Sequence, residues 1–554
     1  MQMNDRHGEQ IHDRPGELLS RRSLISRALA TSAGLMGARL LAGPGGALAT
    51  TLPTAPGGSD ETVASLLPSP EKVRLAVQKM VGFGPRLTGS RAHNRYIAWL
   101  EAQFASSGCT LLPADEHPLT LWQAKRYGLE VLGGPTPQVI PISSYYPRSG
   151  ETSPKGVTGR LTYLGAAPPL SISPEQPGGI PAAVELFESG LSNWMGAAIA
   201  GAGASLRGAI VLIDLPLPLP LTTAIFAPMA DYDYDPEDPA GGFTQDYKRL
   251  WIAGGGGLEQ LKEAGVSGVV FGFDASPEAM LGQYVPFSSE GPGLPALNVD
   301  RDTATRLRAV AAGSPTVRLT LYATREPTTS PSIVAVLPGD GSTDEVMVLN
   351  THTDGQNFVE ENGGVAEVLL ARYFHSLPKG RRLKRTLVFS AVTGHMAPNM
   401  PQTKGFIEDH PDIVARTVAA VTLEHLGVSK WLDTVSNGYY EASPYEPGGA
   451  YCSTGEMALP LVESIPEHQI DNTAVLHGPV YFGIGGAFFE AGIPAIGYLT
   501  GPNYLVQIAA NGCMDKLNDV LFARQVAWFA DLLTRYDKMS AQELRTGEPT
   551  LLGA

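Results

Sequence analysis

Three short apolar runs in the second half of the chain each end abruptly in polar side chains. They cover residues 346–350, 386–390 and 418–423, and runs of this length without polar alternation are typical of buried parallel strands. The carboxyl ends of such strands lie at one edge of a sheet, where α/β proteins place their sites. The pattern predicts an α/β fold with a mixed, mostly parallel sheet flanked by helices.

Apolar residues at helical spacing predict helices on either side of these strands. Val73, Val77 and Met80 mark the first, a second follows the turn at Gly89 and Ser90, and the last covers residues 520–536. Composition then divides the chain as follows: a linker rich in Pro, Gly, Ser and Thr at 50–69, one discontinuous domain at 70–117 and 327–540, an insert at 118–326, and a tail at 541–554.

The insert differs from the rest of the chain because short strands alternate with turns rich in Gly and Pro. The elements predicted within it are strands at 207–213, 265–271 and 294–299 and a short helix at 258–264. Residues 216–250 are an added segment in which acidic residues alternate with tyrosines. A long irregular segment of this kind is either a lid or a solvated loop, and both alternatives remain open.

The first 49 residues have the features of a twin-arginine export signal. Arg21 and Arg22 precede a segment rich in Ala, Leu and Gly, and Ala47 and Ala49 form a small-residue cleavage motif. Arg39 interrupts the apolar segment, which argues against a membrane span. We therefore expect a periplasmic or extracellular mature protein without a transmembrane segment.

Charge and cysteine content narrow the classes of protein further. Loss of residues 1–49 removes six arginines and four acidic residues, so the formal charge changes from −15 to −17. An acidic protein of this kind is not expected to bind nucleic acid. Cys109, Cys452 and Cys513 are the cysteines and none has CxxC spacing, so stability must come from apolar burial. One cysteine pair could form in an oxidising compartment, and the sequence does not choose it.

The motifs at the predicted strand ends resemble those of the di-zinc aminopeptidase family, which includes bacterial leucyl aminopeptidases, glutamate carboxypeptidases and the transferrin receptor ectodomain. The matching motifs are, in chain order, Phe83-Gly84-Pro85-Arg86-Leu87-Thr88-Gly89-Ser90, His352-Thr353-Asp354, Glu360-Glu361-Asn362-Gly363-Gly364, Gly394-His395-Met396, Glu424-His425 and Ala491-Gly492-Ile493-Pro494-Ala495. They cover most of the chain outside residues 118–325. The resemblance implies that the insert is a protease-associated domain, a β-rich module that shapes the substrate entrance in relatives.

The resemblance also implies a set of metal-site residues. His352 matches the first zinc-binding His, Asp354 matches the Asp that orients it, and Glu424 matches the third carboxylate. The bridging carboxylate falls on Glu360 or on Glu361, depending on which residue of the following turn sets the register. Both alternatives stay open on the sequence.

Two of the five zinc ligands of the family have no counterpart. His395 and Met396 replace the Glu–Glu pair that supplies the general base and a ligand of the second zinc, and no late His precedes Asp515. The resemblance therefore implies a single zinc ion, held by His352, Glu360 or Glu361, and Glu424. An imidazole at position 395 could serve as the general base.

Two functions follow from this set. The first is an exported metal-dependent hydrolase that cleaves an amide, peptide or ester bond of a small molecule or peptide. The second is a catalytically inactive binding protein that keeps the peptidase fold. The chain lacks the Gly-x-Ser-x-Gly elbow and the His-Glu-x-x-His motif, and it lacks a dinucleotide fingerprint in its proper context. This argues against the common serine hydrolase, zincin and dinucleotide-binding classes.

Overall fold

The computed structural model describes residues 64–168, 179–215, 230–236, 257–284, 290–477, 481 and 483–546. Its strands are β1 (Thr110–Leu111), β2 (Asp115–Val131), β3 (Gln138–Ile140), β4 (Ser144–Tyr145), β5 (Val157–Ala166), β6 (Ile210–Leu215), β7 (Ala230–Tyr234), β8 (Gly268–Phe273), β9 (Ala296–Val299), β10 (Thr316–Leu337), β11 (Val346–His352), β12 (Thr386–Val392), β13 (Thr417–Leu423), β14 (Lys430–Thr434), β15 (Gly438–Ser443), β16 (Gly448–Cys452), β17 (Thr473–His477) and β18 (Ala495–Thr500). The predicted export signal at 1–49 and most of the predicted linker at 50–69 lie outside the described residues.

Helices connect these strands and cover both faces of the sheet. They are α1 (Pro70–Val81), α2 (Arg91–Ser106), α3 (Gly179–Ala202), α4 (Leu258–Glu263), α5 (Pro277–Met280), α6 (Arg301–Ala311), α7 (Gly363–Ser376), α8 (Gln402–Asp409), α9 (Pro411–Val414), α10 (Gly455–Glu467), α11 (Gly486–Glu490), α12 (Asp519–Lys538) and α13 (Ala541–Leu544). Within the described ranges, no helix is both long enough and apolar enough to cross a membrane.

The three apolar runs predicted as strands are β11, β12 and β13. These three strands and β18 lie side by side in the order β12-β11-β13-β18, and each strand is parallel to its neighbours in this series. The register aligns Asn350 with Ser390 on one side and with Thr422 on the other. Because the strands end at the same edge, the polar residues that follow them meet there, as the sequence predicted.

Both faces of this parallel sheet are buried, which explains why the three runs lack polar alternation. Met347 and Leu349 face the core beneath α1, α2, α7 and α12, whereas Val346 and Val348 face a second core that contains Phe406 of α8. Serine or asparagine side chains cap α1, α2 and α12: Ser69, Ser90 and Asn518 each accept a hydrogen bond from a backbone N–H of the first turn. The fold is therefore α/β with a mixed, mostly parallel sheet, as predicted.

The insert joins the central sheet through a long antiparallel ribbon of β2 and β10. β10 is 22 residues long, and it pairs with β2 and β5 in the insert and with β12 in the central sheet. The predicted boundaries at 118 and 326 therefore fall inside single strands. Strands β5, β6, β8 and β9 are parallel neighbours. Three of them, β6, β8 and β9, overlap the strands predicted in the insert, and β5 was not predicted. The 24-residue helix α3 was not predicted.

Part of the added segment at 216–250 forms an edge strand of the central sheet. β7 pairs in antiparallel fashion with β17, so its alternating Asp and Tyr residues belong to a strand and not to an irregular loop. The flanking residues 216–229 and 237–250 lie outside the described residues, so the choice between lid and solvated loop stays open there. In the predicted tail, α13 packs its fully buried Leu544 on the main core. The three cysteines are buried and unpaired.

Candidate metal centre

His352 is the last residue of β11 and lies at the centre of a buried group of His and Glu side chains. Its Nδ1–H donates to the backbone carbonyl of Asp354 over 2.9 Å, which leaves Nε2 as the free nitrogen. Nε2 lies 3.7 Å from Oε2 of Glu360 and 3.6 Å from Oε2 of Glu424. Burial, with smaller contributions from His395 and His425, holds the pKa of His352 well below its usual value. The imidazole is therefore neutral and its lone pair is available.

The structure separates the two adjacent glutamates that the sequence could not distinguish. Glu360 points toward His352, whereas the carboxylate of Glu361 contacts the guanidinium of Arg86 in a fully buried ion pair. Arg86 also donates to the backbone carbonyls of Met80, Gly84 and Asn357. Glu361 therefore faces away from the cluster, and of the two alternatives only Glu360 is placed to bind a metal with His352.

Glu424 follows β13 and reaches the cluster from the neighbouring strand. Its Oε1 accepts a hydrogen bond from the backbone N–H of Ile484 over 3.1 Å, while Oε2 faces His352. Burial raises the pKa of Glu424. Gly483, with a φ of 75°, packs so closely that a Cβ at that position would lie 2.0 Å from Oε1 of Glu424. A residue without a side chain is needed there to leave room for the carboxylate.

His425 also belongs to the cluster, although the sequence analysis assigned it no role. Its φ of 57° is in the left-handed region, which costs about 1–3 kcal/mol for a residue other than glycine. Its Nδ1 donates to the carbonyl of Thr500 over 2.6 Å, and Nε2 lies 2.8 Å from Oε2 of Glu360. Burial is the largest single influence and lowers its pKa, but Glu360, Glu424 and the Thr500 carbonyl together raise it, so the net shift is upward. The sequence feature that could have identified His425 is its position directly after Glu424, a candidate ligand.

His395 and Asp354 also lie beside His352. The ring centroids of His395 and His352 are 4.3 Å apart, and Nδ1 of His395 lies 3.5 Å from Oε1 of Gln402. The carboxylate of Asp354 accepts the backbone N–H groups of His395 and Met396 and the hydroxyl of Thr88. It lies 3.9 Å from Nδ1 of His352, so the backbone carbonyl of Asp354, and not its carboxylate, makes the orienting hydrogen bond.

A second buried histidine that the sequence analysis did not identify, His93, is hydrogen-bonded to Thr353, the residue after His352. His93 lies on the apolar face of α2, and its Nδ1 accepts the backbone N–H of Gly89, so its proton is on Nε2. Nε2 donates to Oγ1 of Thr353, which donates in turn to the carbonyl of Val392. Burial lowers the pKa of His93 to about 4. The available sequence signal was a histidine in phase with the buried Ile97 and Leu100.

The depressed pKa of His93 should make the folded state sensitive to acid. In the unfolded chain this imidazole gains its proton near pH 6.5, but in the folded state only near pH 4. Stability linked to His93 is therefore complete above pH 6.5 and is lost as the pH falls toward 4. We expect the wild type to lose about 2 kcal/mol more than His93→Gln between pH 7 and pH 5, in urea unfolding. Equal losses in the two proteins would contradict this account.

The donor atoms of the cluster fit a divalent cation. Nε2 of His352, Oε1 of Glu360 and Oε2 of Glu424 are buried and have no hydrogen-bond partner within the described residues. Buried polar atoms are seldom left without a partner. Ligand atoms around tetrahedral zinc lie about 3.4 Å apart, close to the 3.6 Å between Nε2 of His352 and Oε2 of Glu424. The same nitrogen lies 3.7 Å from the other Glu360 oxygen, Oε2, which is hydrogen-bonded to His425. Imidazole nitrogen and carboxylate oxygen are both usual zinc ligands.

Two overlapping triads of this cluster have ligand atoms that all lie within 4.8 Å of one another. One consists of His352, Glu424 and His425, and the other of His352, Glu360 and His395. Met396, which occupies the position of a second-zinc ligand in the resemblance, accepts a weak hydrogen bond from Nε2 of Gln356 to its sulfur. Donor atoms thus converge around His352, and a thioether occupies the position at which the resemblance implies a carboxylate.

Comparisons with known proteins support this fold. No family model matches the sequence, and no curated protein sequence matches it. An aminopeptidase from Aneurinibacillus sp. strain AM-1 is 14% identical, covers 90% of this chain and 98% of its own, and superposes with a TM-score of 0.52. A peptidase M28 precursor from Shewanella amazonensis is 16% identical, covers 89% and 99%, and has a TM-score of 0.57. A zinc aminopeptidase from Bacillus subtilis is 12% identical, covers 86% and 98%, and has a TM-score of 0.53. The chain therefore has the fold of the M28 peptidases and zinc aminopeptidases.

Proposed function

We propose that this protein is a metal-dependent hydrolase with one zinc ion, held by His352, Glu360 and Glu424. The observation that carries the proposal is that each of the three residues has a buried donor atom without a hydrogen-bond partner among the described residues: Nε2 of His352, Oε1 of Glu360 and Oε2 of Glu424. Nε2 of His352 lies 3.6 Å from Oε2 of Glu424 and 3.7 Å from the Glu360 carboxylate. The similarity to solved zinc aminopeptidases supports zinc as the metal. The neutral state of His352 supports it as well, because a zinc ligand must offer an unprotonated nitrogen.

The residues around the cluster suit hydrolysis of an amide, peptide or ester bond. A zinc ion bound there would act as a Lewis acid and lower the pKa of a coordinated water to about 7. We assign the proton-accepting role to His395, whose ring lies 4.3 Å from that of His352. Asp354 positions this base by accepting the backbone N–H of His395. With Met396 in place of a carboxylate, we propose a small amide or ester as substrate in preference to an ordinary peptide with a free amine.

Metal analysis of the wild-type protein tests the proposal. Protein purified without chelator should contain about one zinc per chain by elemental analysis, and prolonged dialysis against chelator should remove it. Adding zinc back should raise the melting temperature, because a ligand that binds only the folded state stabilises it. The loaded protein should hydrolyse members of a panel of amides and esters, and the stripped protein should not. A metal-free protein whose melting temperature does not change with zinc would overturn the proposal.

The burial of the cluster favours a second candidate, a binding protein that has kept the fold without the activity. His352 and Glu360 are 0% exposed, Glu424 and His425 are 1% exposed, and even His395 is only 4% exposed. A substrate can reach such a site only if the surrounding chain moves. Stoichiometric zinc without turnover of any amide or ester, together with saturable binding of a small ligand, would favour this candidate over the hydrolase.

We also propose export by the twin-arginine route and a protease-associated role for the insert, as expected from the sequence. Replacement of Arg21 and Arg22 by lysine should leave the precursor in the cytoplasm, because the pathway recognises the arginine pair. Cell fractionation and immunoblotting would measure this, with a lysine substitution at Arg39 as the matched control. Export of the double variant at the wild-type level would contradict the assignment.

A further inference from the structure

We infer that His425 is a ligand of the metal ion, so that two histidines and two glutamates hold the cation. This inference rests on the proposed function, because it concerns the same ion, but it adds a residue that the resemblance does not assign. The ligand atoms of His352, Glu424 and His425 lie within 4.8 Å of one another, and Nε2 of His425 lies 2.8 Å from Oε2 of Glu360. All four side chains are at most 1% exposed.

The hydrogen bonds of His425 match those of a metal-binding histidine. Such a residue usually donates its other ring N–H to a carbonyl or carboxylate, which fixes the ring and directs the remaining nitrogen toward the metal. Nδ1 of His425 donates to the carbonyl of Thr500, and Nδ1 of His352 donates to the carbonyl of Asp354. Nδ1 is therefore held in the same way in both histidines, and both direct Nε2 toward the glutamates. Nε2 of His352 has no hydrogen-bond partner among the described residues, whereas Nε2 of His425 is hydrogen-bonded to Glu360.

The backbone of His425 is held in a strained conformation that brings the ring into the cluster. Its φ is 57°, and two reciprocal hydrogen bonds connect it to the end of β18. Oγ1 of Thr500 donates to the carbonyl of His425 over 2.7 Å, and the His425 ring donates to the carbonyl of Thr500 over 2.6 Å. Backbone strain of this kind is often found at functional sites.

The neighbouring loops bring Glu360 and His425 together. The side-chain amide of Asn362 donates to the carbonyl of Leu426 over 2.7 Å and accepts its N–H over 2.9 Å. This pair of hydrogen bonds joins the loop after His425 to the start of α7, directly after Glu360. A set of ligands supplied by two loops that are tied in this way is already assembled before a cation binds.

His395 is a weaker candidate for the same role, although it also lies near His352. Its Nδ1 is 3.5 Å from a side-chain amide oxygen, a longer contact than the 2.6 Å hydrogen bond from Nδ1 of His425 to Thr500. The rings of His395 and His352 are tilted by 40°, with centroids 4.3 Å apart. The rings of His425 and His352 are nearly perpendicular, at 81°, with centroids 6.0 Å apart. This geometry suits a base beside the metal for His395 and a ligand for His425.

His425→Asn is the substitution that tests the inference, because asparagine tolerates a left-handed backbone better than most residues. Zinc affinity is measured by chelator competition on metal-free protein. We expect it to fall by more than about tenfold, because even residues that only hydrogen-bond to metal ligands cause losses of about 10- to 100-fold when they are replaced. His468→Gln is the control, because His468 is a buried histidine that pairs with Asp531 outside the cluster. X-ray absorption of the zinc-loaded wild type should show two imidazole ligands.

The possible outcomes separate this inference from the proposed function. If the wild type binds one zinc and His425→Asn binds it equally well, or if X-ray absorption finds a single imidazole, the ligand assignment is wrong and the proposed function stands. If the wild type binds no zinc, both are wrong. Circular dichroism and melting of the metal-free variants show whether a loss of affinity reflects unfolding. If the metal-free His425→Asn folds like the metal-free wild type and binds zinc weakly, the inference is supported.

Discussion

Glu360→Gln should lose the metal, whereas the same change at the next residue should keep it. The amide is nearly isosteric with the carboxylate but uncharged, so the substitution removes the anionic donor without opening a cavity. Glu360 faces His352 at 3.7 Å, and Glu361 faces Arg86. We expect Glu360→Gln to lower zinc affinity by more than about 100-fold, the upper end of the losses caused by supporting residues. Glu361→Gln should change it by less than about tenfold.

Titration calorimetry of metal-free protein with zinc measures both affinities, at a temperature where both variants remain folded. The comparison is internally controlled, because the two substitutions are chemically identical and adjacent. A variant at position 361 that lost zinc, with zinc retained by the variant at position 360, would show that the metal lies on the other glutamate.

Arg86→Met should destabilise the fold by about 3–5 kcal/mol, the usual effect of leaving one partner of a buried ion pair uncompensated. Arg86 is 1% exposed and Glu361 is 0% exposed, so water cannot solvate the carboxylate that remains. Burial already lowers the pKa of Arg86 to about 10, but the guanidinium stays charged at neutral pH. Denaturant unfolding at pH 7 would measure the loss.

A double variant tests whether the ion pair itself causes the destabilisation. Arg86→Met combined with Glu361→Leu removes both charges, and buried ion pairs can often be replaced by apolar residues at little cost. We expect partial recovery, because the carbonyls of Met80, Gly84 and Asn357 still lose their donor. If Arg86→Met lowers the unfolding free energy by less than about 1 kcal/mol, the ion pair does not stabilise this region.

The sequence predicted the arrangement of the central strands because local hydrophobicity determines it. Residues 346–350, 386–390 and 418–423 are apolar on both faces, and the structure places them as adjacent parallel strands. Once the strands are parallel, the residues after them must share an edge. His352, Glu424 and His395 could therefore be brought together on the sequence alone.

The finer details of the cluster depend on contacts between residues far apart in the chain. Glu360 and Glu361 are equivalent in local sequence, and only the contact of Glu361 with Arg86, 275 positions earlier, separates them. His425 depends on a left-handed backbone held by Thr500, which no local pattern indicates. The resemblance implied that the Asp354 carboxylate orients His352, but the backbone carbonyl of Asp354 accepts the His352 hydrogen bond instead. The carboxylate accepts hydrogen bonds from Thr88 and from two backbone N–H groups.

The insert was harder to predict because its elements depend on pairing with distant segments. β7 is an edge strand only because β17 lies beside it, and its alternating Asp and Tyr residues are equally compatible with a loop. The helix α3 is uniformly apolar in part of its length, so it lacks the amphipathic spacing that identifies surface helices. The sequence around it has the pattern of short strands and turns, which does not predict a long helix.

The shared strand β10 limits how the insert can move. One end is hydrogen-bonded to β12, which leads to His395, and the other end is part of the insert sheet. A hinge of flexible linkers is therefore absent at this junction, and any tilt of the insert must bend the β2–β10 ribbon or shift β12 with it. The register irregularity at Tyr322 and Ala323 is the natural bending point, because a bulge weakens the ladder locally. Hydrogen exchange should be faster there than in the rest of the ribbon, and uniform protection would exclude bending at this site.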